Sequence, residues 1–128
     1  MSELEAFTAG YLECLLWQGL DWSDMDESDN PTPLDENHGI DDIALEALAA
    51  IGAECAEFVE ANRADLESAA EQRPGWDWLG HDFCLTRNGH GAGFWDRGLG
   101  ELGQRLTEAS HPYGESGEYV ADDGLIYV

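Results

Sequence analysis

The chain has 128 residues, one domain's length, and sets 28 Asp and Glu against five Arg and no Lys, for a formal charge of −23. That balance excludes binding DNA or RNA through phosphate neutralisation, which needs clustered cations, and attraction to an anionic membrane surface. Disorder is excluded by the 43 % of hydrophobic residues, among them five Trp, four Tyr and four Phe, which suffice for one modest core.

In chain order, Ser2 and Glu5 form a capping box that opens a helix over residues 3–19. Phe7, Tyr11 and Leu15, with Leu4, Leu12 and Leu16 beside them, recur at helical spacing and predict one buried face; Gly19 ends it. Residues 21–42 break all periodicity, carry nine acids and contain Pro31 and Pro33, so they predict an exposed acidic loop with Trp22 and Leu34 as its anchors. A second helix is expected from Asp42 to about Gln72, stopping before Pro74-Gly75. Its apolar stripe is Leu48, Ile51, Cys55, Phe58, Val59 and Leu66. Glu46, Glu57, Glu60, Glu67 and Glu71 fall within about 80° of each other on the opposite face at ~3.6 residues per turn.

Beyond Gly80 the pattern changes. Residues 81–87 and 92–97 read as two strands around Asn88-Gly89, a strong hairpin signal. Leu99, Leu102 and Leu106 mark a short helix over 99–109, and residues 118–120 and 125–128 a terminal hairpin around Asp122-Asp123-Gly124. The expectation is therefore α+β, a single domain over residues 1–128, with N-terminal helices and an antiparallel sheet built from two C-terminal hairpins.

Three cysteines, Cys14, Cys55 and Cys84, at wide spacing without C-x-x-C suit a reducing cytoplasm. The N-terminus lacks a signal peptide's basic start, and no apolar run approaches the ~20 residues that span a bilayer. A soluble, cytoplasmic protein is expected.

Several constellations invite chemistry. His81, Cys84 and His90 suggest a metal site, but their spacing matches no pattern of paired zinc ligands. Cys84 with His81 or His90 suggests a nucleophile–base pair, yet surrounding carboxylates work against a lowered thiol pKa. His81, Asp82, His90 and Asp96 together suggest a small hydrolytic or metal site. Asp24-x-Asp26-x-Ser28, with Asp35 twelfth, opens like a calcium loop, but Asp29 stands where the turn needs Gly. In each case a scaffold reading is simpler: the glycines make turns and Phe83, Leu85, Phe94 and Trp95 fill space. No metal and no cofactor is expected.

The charge itself remains. Residues 1–62 hold sixteen acids and no cation, whereas residues 63–128 hold twelve acids and all five arginines. Duplex DNA carries one charge per ~1.7 Å, so the net 23 negative charges match roughly 39 Å of duplex, the order of a small globule's diameter. Along one straight helix, steps of ~4.5, ~10.5 and ~6 Å from Glu57 to Glu60, Glu67 and Glu71 bracket phosphate spacing.

The strings PLDENHGIDDIALEALA (33–49), CAEFVEAN (55–62), HDFCLTRNGHGAGFWDRGLGELGQRLTEA (81–109) and YVADDGLIY (119–127) resemble a family of small acidic proteins of bacteriophages, prophages and plasmids. Members commonly carry an aromatic residue where this chain has Cys84, which counts against that thiol as ligand or nucleophile. The resemblance implies a mobile-element origin and carries no catalytic residues. It implies a protein that blunts host defences by occupying nucleic-acid-binding surfaces of CRISPR or restriction complexes. The expected function is thus a non-enzymatic inhibitor that mimics nucleic-acid charge and binds no nucleic acid or membrane itself. Its partner is a basic nucleic-acid-binding protein of the bacterial host, met through Glu46, Glu57, Glu60, Glu67, Glu71, Asp24, Asp26, Glu27 and Asp29. The alternative is an accessory module that binds a protein through the 80–98 hairpin.

Overall fold

A computed structural model describes residues 2–25 and 27–128. Its first helix, α1 (Glu3–Gln18), is capped by Ser2, whose hydroxyl accepts the Glu5 N–H at 3.1 Å. It buries Phe7, Gly10, Tyr11, Cys14 and Leu15. The principal partner of α1 is α5 (Trp76–Arg87), and the two pack backbone to backbone. A Cβ on Gly10 would lie 1.8 Å from the Asp77 carbonyl oxygen, and one on Gly80 would lie 1.8 Å from that of Phe7.

Residues 21–42 are built rather than loose, which corrects the expected loop. Strands β1 (Leu20–Met25) and β2 (Pro31–Pro33) pair antiparallel, with an irregularity between Asp21 and Met25. A short helix α2 (Leu34–Asn37) and a 3-10 turn (Ile40–Asp42) follow. Leu34 is fully buried, and buried Asp21 holds the segment together by accepting the Ser23 N–H at 2.9 Å and facing His38 Nε2 at 3.1 Å. The prolines fit because they begin and end an edge strand.

The long second helix is two helices, α3 (Leu45–Ala61) and α4 (Arg63–Gln72), separated by Asn62 at φ −122°, ψ 22°. The Asn62 side chain donates to the Phe58 carbonyl at 2.9 Å, competing for the helix's own acceptor.

The hairpin expected over 81–97 is absent: residues 81–87 belong to α5, and 94–96 form a 3-10 turn. Asn88-Gly89 stops a helix instead of turning a hairpin. Gly89 takes φ 70°, its N–H reaches Thr86 O, and His90 N–H reaches Leu85 O, the paired bonds of a Schellman cap. The helix α6 (Glu101–Ser110) and the terminal hairpin of β3 (Tyr119–Val120) and β4 (Ile126–Tyr127) match expectation. Ile126 is fully buried and bridges to Ile43. The class is α+β, with two antiparallel two-stranded sheets among the described residues.

The core is aromatic. Phe58 and Phe83 stack at 4.1 Å between centroids, Tyr113 meets Phe83 edge-on at 5.2 Å, and Phe7, Tyr11 and Phe94 close around them. No helix among the described residues is long and apolar enough to cross a membrane.

Candidate functional site

The acids proposed to imitate phosphates do not lie along one ruler. The break at Asn62 leaves Glu46, Glu57 and Glu60 on α3 and Glu67 and Glu71 on α4, so the straight-helix step expected from Glu60 to Glu67 fails. All five are exposed. Glu57 accepts the Tyr113 hydroxyl at 2.8 Å, and Glu60 and Glu67 share Arg63 at 3.9 Å each. Asp24, Glu27 and Asp29 are exposed on and beside the β1–β2 hairpin; Asp24 accepts the Asn37 amide at 2.8 Å. Asp26 lies outside the described residues.

The arginines are all engaged by carboxylates. Asp82, 1 % exposed, sits between Arg73 at 3.0 Å and Arg97 at 2.9 Å. Arg87, whose side chain is 3 % exposed, donates to Tyr11, Glu54 and the carbonyls of Tyr113 and Gly114. Arg105 pairs with Asp65 at 3.1 Å, and Arg63 lies between Glu60 and Glu67. Three of the five therefore serve the interior, and the other two are matched on the surface.

The histidines of the 80–98 segment part company. His90 Nε2 meets Gln18 Oε1 at 2.8 Å, in a polar cleft of about 340 Å³ that also includes Trp22, Asn88 and Glu118. Gln18 in turn donates to Glu118, which also accepts the Ser116 hydroxyl, and the Ser116 N–H donates to Asn88 Oδ1 at 2.9 Å. This chain ties the end of α1 to the cap of α5 and the approach to β3. His81 lies elsewhere, between the rings of Trp17 and Trp78 at 6.1 and 5.8 Å. Asp82 is locked between arginines, and Asp96 accepts the Gly93 N–H at 3.0 Å. Thus His81, Asp82, His90 and Asp96 do not converge on one cleft. Among the described residues no group of three His, Cys, Asp or Glu is placed to hold a metal ion.

Beneath His81 lie two fully buried thiols, Cys14 and Cys84. The neighbouring Cys84 thiol and His81 hold Cys14 below the usual thiol range against burial, whereas burial pushes Cys84 well up. The His81 Nδ1 is buried without a well-formed hydrogen bond, and the Cys14 sulfur raises the imidazole's pKa. Cys84, the residue weighed as a nucleophile from sequence, is the less acidic thiol of the two and is sealed from solvent.

What the sequence reading missed is the exposed aromatic pair around His81. Trp17 is 58 % exposed and Trp78 is 47 % exposed. The available signal was that Trp17 falls off the apolar stripe of α1, on the side of Glu13. No family model, curated protein or solved structure matches the chain.

Proposed function

We propose that this chain is a non-enzymatic, acidic inhibitor that stands in for nucleic acid and occupies a basic nucleic-acid-binding surface of a host defence complex, of anti-CRISPR or anti-restriction type, in the bacterial cytoplasm. One observation carries the reading. With no lysine, and with each of the five arginines within 4.0 Å of a carboxylate, the cations are spent on internal pairs. Most of the remaining described acids face outward with no arginine beside them, buried Asp21 being the exception, and so resemble a phosphate backbone. The likeness to phage, prophage and plasmid proteins supplies the class of target.

Within that reading, the strongest contact belongs to the β1–β2 hairpin and α2, through Asp24, Glu27 and Asp29, because among the described residues no arginine pairs with these three. Glu46, Glu57, Glu60, Glu67 and Glu71 add field from the α3–α4 side, partly neutralised by Arg63. A contact made through an 80–98 hairpin has no basis, since that hairpin is absent.

The test is capture of proteins from a bacterial lysate on the immobilised chain, across a salt series. Captured proteins should bind nucleic acid and be released by a short DNA duplex at constant ionic strength, but not by polyglutamate. Asp24→Asn, Glu27→Gln and Asp29→Asn together should weaken capture more than Glu57→Gln, Glu60→Gln and Glu67→Gln together. Capture indifferent to salt and to both triple variants would reduce the acids to a solvated face.

A further inference from the structure

We infer that the cleft between Trp17 and His81 is a receptor for an arginine side chain presented by a protein partner. This inference extends the reading of the chain as a ligand of a basic surface, by giving that surface one specific anchoring contact.

The cleft has a volume of about 540 Å³ and is lined by Glu13, Leu16, Trp17, Asp35, Ile40 and His81. That size lies within the range of about 300–1,000 Å³ that ligand sites occupy. Its floor is apolar and its rim is acidic. Trp17 and Ile40 expose 58 % and 48 % of their surfaces, although an acidic protein has no solvation reason to display them. Among the described residues neither Glu13 nor Asp35 makes a salt bridge or accepts a hydrogen bond at its carboxylate, unlike the acids next to arginines, although Glu13 is near enough to favour the charged form of His81. An aliphatic stem seated on Leu16 and Ile40, with its cationic head between two carboxylates and a tryptophan face, answers both the apolar and the acidic parts of this lining.

Charge complementarity selects a cation, and the planar aromatic wall selects arginine over lysine, because a guanidinium stacks and forks where an ammonium does neither. The same corner already displays this chemistry. The guanidinium carbon of Arg73 lies 5.1 Å from the centre of the Trp78 ring, on the neighbouring side of His81. Trp78 is thus served from within the chain, and Trp17 is the aromatic wall left for a guest.

The decisive measurement uses the full-length, ¹⁵N-labelled protein titrated with acetyl-Gly-Arg-Gly-Arg-Gly-amide and with its lysine and norleucine counterparts. The arginine peptide should move the Trp17 indole resonance to a saturating limit, with the lysine peptide weaker and the norleucine peptide inert. Glu13→Gln with Asp35→Asn should weaken the arginine peptide about fivefold, as the loss of two exposed ion pairs implies. Glu101→Gln with Glu108→Gln, acids of α6, should leave that affinity unchanged. Equal binding of the norleucine peptide would make the cleft a plain apolar groove and overturn the inference. An equal loss from the α6 pair, or a linear drift without saturation at Trp17, would also overturn it by reducing the effect to the general field. A protein that captures DNA-displaceable partners yet shows no saturation at Trp17 would keep the proposed function and lose this site. Saturation at Trp17 without any DNA-displaceable partner would do the reverse.

Discussion

Arg87 is the residue on which the interior's polar order depends. Its guanidinium is buried against Phe83 and Tyr113 at 5.7 and 5.6 Å and is spoken for by Tyr11, Glu54 and two carbonyls. Arg87→Met removes the charge but strands those four acceptors, so unfolding free energy in urea should fall by about 3–5 kcal/mol. Arg87→Lys should recover little, because one ammonium cannot reproduce the fork. Asp21 gives a pH signature. Burial pushes its carboxyl up, but the Ser23 hydrogen bonds and His38 together pull it below its ordinary value. An acid with a lowered folded pKa adds stability above about pH 4 and loses it as pH falls through the folded value. Asp21→Asn should therefore cost stability at neutral pH and progressively less below about pH 4. An equal cost at both ends of that range would remove Asp21 from the acid transition. Cys84→Ser should leave partner capture intact in a variant that stays folded by circular dichroism, since the thiol is sealed in the core.

At the level of elements, glycine decides where α1 and α5 can meet. Gly10→Ala or Gly80→Ala drives a methyl into a backbone carbonyl and should cost about 3 kcal/mol or more, at the upper end of overpacking. Gly52→Ala, inside α3 with nothing within 4 Å of the added carbon, should instead stabilise by about 0.5–1 kcal/mol. Thermal melts of the three variants check both signs. The elements with a two-sided pattern were legible from sequence: α1, α6 and the terminal hairpin stand within about two residues of expectation. The α5 helix was not, because residues 82–87 are buried on every side and a helix without a wet face shows no period. Its Asn-Gly stop then passed for a hairpin turn, since both need the same positive φ. The β1–β2 hairpin was hidden by its acids and prolines, and its anchor is a buried carboxylate that composition counts as exposed. The candidate site was legible only as charge. Which acids keep their charge depends on pairings such as Arg105–Asp65 and Arg87–Glu54, which join residues far apart in the chain.

For the molecule as a whole, the fold sustains its own repulsion. Added salt should raise the melting temperature by several degrees between low and physiological ionic strength, because the Debye length shrinks to about 8 Å. Glu57→Gln, Glu60→Gln and Glu67→Gln together should remain folded and reduce that salt dependence, since the three are exposed and, among the described residues, Arg63 is the one cation shared by Glu60 and Glu67 while Glu57 has none. A melting temperature that is flat or falling with salt would mean that the internal pairs outweigh the surface field.

The aromatic side chains carry a spectroscopic consequence. Trp17, Trp22, Trp78 and Trp95 are all exposed, and only Trp76 is packed in part against the core. Native emission should already sit near the wavelength of indole in water and shift little when the chain denatures. Intensity changes will report the neighbourhood of His81 more than global unfolding. The same rings stand in a strongly negative potential, so caesium should quench them efficiently and iodide poorly at low ionic strength. The gap between the two quenchers should close as salt is added, and a basic protein seated on the anionic face should shield the indoles from caesium first.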